Sequence, residues 1–529
     1  MPDESRVFHF HTDAIGDDTF HLSALTGEEE ISTPYHFELD LMSKKVDVPL
    51  DKMLNNNAWI SIRQSVPVSG GKRGTRIYKI HGMLSSFEVL EKINDYVKYR
   101  AVLVPRFWKT SLNTQCKVFQ DMTIPEVIQE ILTDDVGAGL ADGEDLELRL
   151  TKTYAAREFI IQYNESDLDF LHRWCEHEGI FYFFEQSEGR EKIVFGDSTS
   201  AYTKLPGDPK IPYRPDPASR ARSSGATSEE TLQEESVHTF RCLLKKLPKE
   251  VVLKDYNYRT PSVEINAKAT VNSPVAEGLF YTYGEHYKDK SAGDAIAKVR
   301  AEAFQCRDKT FDGTSDHKSF RPGITFNLSE HYRPDFNATY LITYLSHKAI
   351  QGTAAAGGGG STMSYANTFD CIPGDDVFRP ERVTPWPSIY GVLNAKVDDG
   401  GSGDYAEIDD QGRYKVKLPF DLSDAKDGKA SRFIRMAQPY AGADMGMHFP
   451  LHKGTEVAIG FVDGDPDRPL IFGALINPET ESPVQGKNST QCKVHTGGGN
   501  SITIEDTAGT QSMTMHTPSG NTFFSMGKS

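Results

Sequence analysis

The chain has 529 residues, which at about 150 residues per domain predicts three or four domains. Its 38% hydrophobic content supports several buried cores and excludes wholesale disorder, while a net charge of -17, from 58 basic and 75 acidic side chains, argues against nucleic acid or an anionic membrane surface as the main partner. No run approaches about 18 consecutive apolar residues, and the acidic start MPDESRVFHFHTDAIGDD has no signal-peptide core, so the expectation is synthesis in the cytoplasm and any export by a dedicated route.

From the N-terminus, Val7 to Phe10, Tyr35 to Leu41, Trp59 to Ile62, Ile77 to Leu84 and Tyr96 to Val104 read as short strands. Turn formers such as Ser69-Gly70-Gly71 separate them, the pattern of a barrel or sandwich. A first helix is predicted where Thr123 and Glu126 form a capping box ahead of the stripe Val127, Ile128, Ile131 and Leu132. A second starts at Ser166, buries Leu168, Leu171 and Cys175, and stops at Gly179. A second β-rich stretch runs from about 235 to 372 and includes Glu250 to Leu253, Ile324 to Leu328 and Tyr340 to Tyr344. A third helix is expected within it, from about Asp294 to Arg307.

Gly352 to Ser361 reads as a long hairpin loop, and Pro373 to Ser388, with four prolines, as a stiff spacer between domains. Five β-like runs follow: Ile389 to Val397, Gly412 to Leu418, Arg432 to Ala437, Glu456 to Val462 and Leu470 to Ile476. Five strands in this length suit an OB-type barrel. Its 10 basic and 14 acidic residues between Ser388 and Pro478 argue against a groove for phosphates. The last thirty residues repeat with a period of 11, on Gly498, Gly509 and Gly520, on Ile502, Met513 and Phe524, and on Ile504, Met515 and Met526. Each unit is a turn and a strand with apolar residues at i and i+2 on one face, and three units cannot bury that face alone. Ile502, Ile504, Met513, Met515, Phe524 and Met526 are therefore the expected axis of an assembly of several chains.

Chemical motifs are scarce. The six cysteines lie at least 59 residues apart and form no C-x-x-C pair, so they read as buried thiols in a reducing compartment. Gly527-Lys528-Ser529 resembles the end of a phosphate-binding loop, but Thr522 stands where that loop needs glycine. Asp463, Asp465 and Asp467 alternate like a calcium loop, but Arg468 and Ala474 occupy the positions that need glycine and glutamate. The reading there is a hairpin turn built from Gly464, Asp465, Pro466, Asp467, Arg468 and Pro469. His172 and His177 sit about 140° apart around a helix and do not share a face. His9 and His11 share a strand face but lack a third ligand, and Phe181 to Phe184 read as a core strand. No catalytic, cofactor or metal residue is assigned, and the protein is not expected to be an enzyme.

Tyr163-Asn164-Glu165-Ser166-Asp167 through Phe170-Leu171, Arg173, Glu178-Gly179-Ile180 and Tyr182 resembles a signature of the VgrG family, the spike proteins of bacterial type VI secretion systems. Gly464 to Pro469 with Gly473 and Asn477, Asp410 to Arg413 with Val416, and Arg435 to Tyr440 with Ala441 and Gly442 resemble that family's spike-base barrel. The resemblance implies a mainly β homotrimer related to contractile phage tail hubs. It divides the chain into a first hub barrel (1–110), an α/β insertion (111–230), a second hub barrel (231–372), a linker (373–388), an OB-type neck (389–478) and the start of an interwoven β-helix or prism (488–529). It also implies a hexameric Hcp-type tube protein below the ring, a PAAR-repeat protein or effector at the tip, baseplate contacts, membrane contact only by puncture, and secretion through the type VI apparatus. Only about 15 residues separate Asn477 from the strand at Cys492, leaving no room for the lysozyme domain that phage relatives can carry there. The prism is short, expected of a shortened or a stubby spike. The alternatives are a phage-derived injection particle of the same fold, a spike with hydrolase activity, and an OB-fold nucleic-acid binder.

Overall fold

A computed structural model describes residues 7–68, 72–134, 137–187, 189–215, 235–352 and 363–527. The expected turn at Ser69-Gly70-Gly71, nearly all of the Gly352 to Ser361 loop, and Lys528 and Ser529 lie outside them. The chain divides into two compact units. One comprises 1–115, 121–157 and 164–386; the other comprises 116–120, 158–163 and 387–529.

The first unit is built on one 13-stranded sheet. Phe8–Thr12, Asn57–Val68, Lys72–Ile93, Tyr96–Val104, Thr33–Ser43 and His21–Glu30 follow one another across it, in that spatial order. Alternating residues such as Phe37, Leu39 and Leu41 point inward and are fully buried. One buried side chain links the ends of this barrel. Gln351 accepts from the N–H groups of Val7 and Phe8 at 2.9 and 3.1 Å and donates to the carbonyls of Phe8 and Leu22 at 3.0 and 3.3 Å.

His21–Glu30 also pairs with Thr339–Gln351, the seam to a second barrel that continues through Met363–Pro373, Lys309–Ser315 and Val237–Leu244. It closes through Ile324–Ser329, Lys210–Pro212 and a parallel bridge from Tyr213 to Val237. Phe240, Phe311, Phe320, Phe326, Tyr340 and Phe369 fill it. The sheet is thus continuous where the sequence reads as two separate β-rich regions.

Two α/β pieces belong to this unit. Helices Ile124–Thr133 and Asp167–Glu178 begin as the sequence predicts. Thr123 and Glu126 make a reciprocal capping box, Ser166 accepts from the Asp169 N–H, and Gly179 ends the second helix at φ 73°. Phe181–Ser187, Arg190–Gly196 and Leu146–Arg149 form a sheet in which Phe181 to Phe184 are buried. The other piece departs from expectation. Glu250–Asp255 joins Ile265–Thr270 and Leu279–Tyr283 in a separate three-stranded sheet, outside the second barrel. Helix Lys290–Gln305, capped by Asp289, covers that sheet with Ile296, Ala297 and Ala301. Its start lies four residues before the predicted one because Asp289, not the first apolar residue, supplies the cap.

The proline-rich segment is a strap, not a free spacer, up to Trp386. Arg379 is 2% exposed; its guanidinium donates to the carbonyls of Gly179 and Asp197 and to the Glu302 carboxylate. Arg382 grips both oxygens of Glu285 at 2.7 and 2.8 Å, and Glu176 accepts from the N–H groups of Val383 and Thr384. Fixed φ at the prolines lowers the cost of holding this path.

In the second unit, Val392–Val397, Val416–Lys417, Glu456–Phe461 and Pro469–Ala474 form a four-stranded sheet. The expected strand Arg432 to Ala437 is absent. Ile434 bridges Tyr414, and two residues later Met436 bridges Ile471, so the change of partner leaves no ladder. The core holds Ala395, Val397, Tyr414, Val416, Val457, Ile459 and Ile471, together with Phe159 and Ile161 from a distant part of the chain. A 389–478 fragment would lack those two side chains.

Candidate functional site

The 463–469 turn is built from backbone geometry and short polar bonds. Asp463 and Gly464 take φ values of 57° and 76°, the left-handed region that glycine enters at least cost. The Asp465 N–H donates to the Val462 carbonyl, the Arg468 N–H to the Asp465 carbonyl, and the Asp467 N–H to the Asp465 carboxylate at 3.0 Å. Asp467, 6% exposed, accepts from the Ile161 N–H at 2.6 Å, and the Gly464 carbonyl accepts from the Ile389 N–H. These bonds tie three separate stretches of chain into one barrel. Gly464→Val should destabilise the barrel by about 1–3 kcal/mol through backbone strain, since a new Cβ would meet nothing closer than 3.6 Å. A denaturation curve matching the parent's would contradict that role.

The last strands make a four-stranded antiparallel sheet: Gln491–His495, Ser501–Glu505, Ser512–Thr517 and Thr522–Gly527. Two apolar rungs cross it, Val494–Ile502–Met515–Phe524 and Cys492–Ile504–Met513–Met526. All six side chains singled out by the repeat thus lie on one face, and Cys492 and Val494 extend it. Residues one period apart are not opposite one another, because the chain reverses at each turn; Ile502 faces Met515 rather than Met513. The other face carries Lys493, Thr503, Thr514 and Ser525. Met513, Met515, Phe524 and Met526 are 45 to 58% exposed and form a contiguous apolar surface.

His9 lies beside His11, with ring centroids 6.2 Å apart. His11 stacks on Trp59 with ring centroids 5.2 Å apart and bonds Asp17 and Ser61 through its two nitrogens. His172 bonds the Tyr182 hydroxyl at 2.7 Å. His177 is fully buried, with Nε2 3.1 Å from the Glu285 carbonyl. Burial pushes the His177 imidazole down to about 4 and that of His317 to about 3, from 6.5. With folded values below the unfolded one, the unfolded chain takes up protons first. The stabilisation present above pH 6.5 is therefore lost as pH falls through 6.5 towards 4. The melting temperature should drop across that window, and His177→Gln should shallow the drop. A pH-independent melting temperature between 6.5 and 4 would refute this.

Residues 28–353 match the family model described as phage tail baseplate hub (GPD), and 405–475 match the type VI secretion system/phage-baseplate injector OB domain. The type VI secretion system spike protein VgrG1b of Pseudomonas aeruginosa is 28% identical over 514 residues, covering 95% of this chain and 66% of its own length. The actin cross-linking toxin VgrG1 of Vibrio cholerae is 26% identical over 529 residues, but only 46% of its length is covered. In structure, the E. coli c3393 protein, a type VI secretion component similar to T4 tail proteins gp27 and gp5, superposes with a TM-score of 0.61 at 22% identity, covering 88% of this chain and 99% of its own. The hub model spans more than half of the chain and falls on the double-barrel unit, and the OB-domain match falls on the barrel that follows it. The chain belongs to the phage tail baseplate hub family and is similar, over nearly its whole length, to the VgrG spike proteins of type VI secretion.

Proposed function

We propose that three copies of this chain form the hub and spike at the tip of a type VI secretion apparatus. The observation that carries this reading is the two-rung apolar face of residues 491–527. A single four-stranded sheet has nothing of its own to bury that face against, and a closed assembly turns it inward. The double-barrel unit then forms the ring. Two barrels per chain give six in a trimer, matching a hexameric Hcp-type tube, and a PAAR-repeat protein or an effector caps the far end. The work is mechanical rather than catalytic: to cap the tube, match the symmetries and stay folded while driven into a target envelope, leaving the cell through the apparatus itself. The toxin activity in one relative's name does not transfer on sequence, because over half of that protein lies outside the matched part. Among the described residues no helix is long and apolar enough to cross a membrane.

The test uses the full chain. Light scattering should give the mass of three chains, electron microscopy a three-fold body with a short stub, and immobilised tube rings should retain it. A monomer in solution would overturn the proposal. Truncation at residue 386 is a poor substitute, because 116–120 and 158–163 would lose the barrel they pack into.

A further inference from the structure

The neck barrel carries two exposed apolar features that its own packing leaves unused. The first is a hairpin. Residues Ala441–Gly442 pair with Met445–Gly446, Asp444 turns at φ 56°, and the Met447 N–H donates to the Tyr440 carbonyl at 3.0 Å. His448 anchors its base, with Nε2 2.7 Å from the hydroxyl of the buried Tyr414. The hairpin is held by backbone hydrogen bonds, yet Tyr440, Met445, Met447 and Phe449 are 46 to 59% exposed. The second is a patch on the outside of the sheet. Phe472 lies across Gly460, where a Cβ would come within 2.2 Å of its ring, and Gly460 pairs with Val392. Tyr390, Val392 and Phe472 are 88, 57 and 54% exposed.

We infer that the hairpin of one protomer packs on the Tyr390–Val392–Phe472 patch of the next copy around the ring. The inference rests on the three-copy reading above. Two dissimilar apolar surfaces on one chain are what a head-to-tail, ring-closing contact needs, since each copy then gives one and receives the other. A contact between identical patches would leave one of the two bare. The hairpin is also continuous with the surface that calls for neighbours. The chain leaving it runs three residues from Phe449 to His452, whose ring lies 4.2 Å from that of Tyr405 and tilted by 52° to it, and a Cβ at Gly497, in the first turn of the terminal sheet, would meet that imidazole at 2.6 Å. Copies that gather at the terminal sheet therefore bring their hairpins to the same level. The surface chemistry fits: methionine and aromatic side chains with one charge, Asp444, meet a patch of two aromatics and a valine.

Methionine oxidation in the native full chain tests this. In the assembled protein, Met445 and Met447 should react with hydrogen peroxide at least tenfold more slowly than in Phe472→Asp, with Val392→Asp as the second variant should the first misfold. Subunits bearing Met447→Cys and Phe472→Cys, mixed in a background with Cys242 and Cys492 changed to serine, should cross-link to each other and not to themselves. Fast oxidation of Met445 and Met447 in a particle of three chains, protection unaffected by both patch variants, or self-linking of Met447→Cys would each overturn the inference while the trimeric spike stands. A monomeric parent would overturn the spike reading instead.

Discussion

Met515→Asp in the full chain is expected to unlock the spike. Met515 sits at the centre of one apolar rung, opposite Ile502 and Phe524. In a closed three-fold assembly the substitution places three carboxylates together away from water, at an effective penalty of several kcal/mol per buried ion before repulsion is added. The sheet is only four strands long, so this should exceed what the stub gains by closing. The hub ring can keep the particle trimeric, so the decisive readout is protease protection of residues 488–527. The parent should resist cleavage there and the variant should be cut rapidly. Thr514→Asp, one residue away on the polar face, should leave protection unchanged. Equal protection in Met515→Asp and the parent would show that this face does not line the axis. A fragment beginning at 385 is unsuited to the measurement, because Phe159 and Ile161 complete its barrel core.

The second large effect is expected at Arg173. It is 1% exposed, its Nε and Nη2 each lie 2.8 Å from the Glu165 carboxylate, and its guanidinium sits over the rings of Phe170, Trp174 and Trp386 at 4.8, 5.3 and 4.5 Å. Arg173→Ala removes the cation and leaves the Glu165 charge in a nearly dry site, which should cost about 3–5 kcal/mol. Lost ring contacts add to it. Arg173→Lys should recover only part, because an ammonium cannot hold both carboxylate oxygens in one plane. Chemical denaturation of the full chain is the measurement. A loss below about 1 kcal/mol would mean that the pair is dispensable and that the aromatic stack alone fixes this helix.

What was legible in the sequence was local. The Thr123–Glu126 box and the Ser166 cap depend on residues three apart, and Gly179 ends its helix by its own φ. The Gly464 turn is likewise a matter of neighbours, and the 11-residue repeat reports which side chains share a face because strand alternation has a period of two. The turn's partners were not legible. Nothing near Asp467 in sequence announces that it accepts from Ile161, 306 residues away.

Taken alone, the sequence determined the mainly β class, the starts of the first two helices and the apolar stripe of the terminal repeat. All follow from periodicity and capping within a few residues. The tertiary structure alone decided which edges meet. Gln351 joins the first barrel's ends across 343 residues, Glu250–Asp255 leaves the second barrel for its own sheet under a helix, and Arg379 and Arg382 turn a proline-rich spacer into a strap. Strand pairing and buried ion pairs are satisfied by any suitable edge or counter-charge that the fold brings near. The choice among them is made by the packing of the whole unit rather than by the residues on either side.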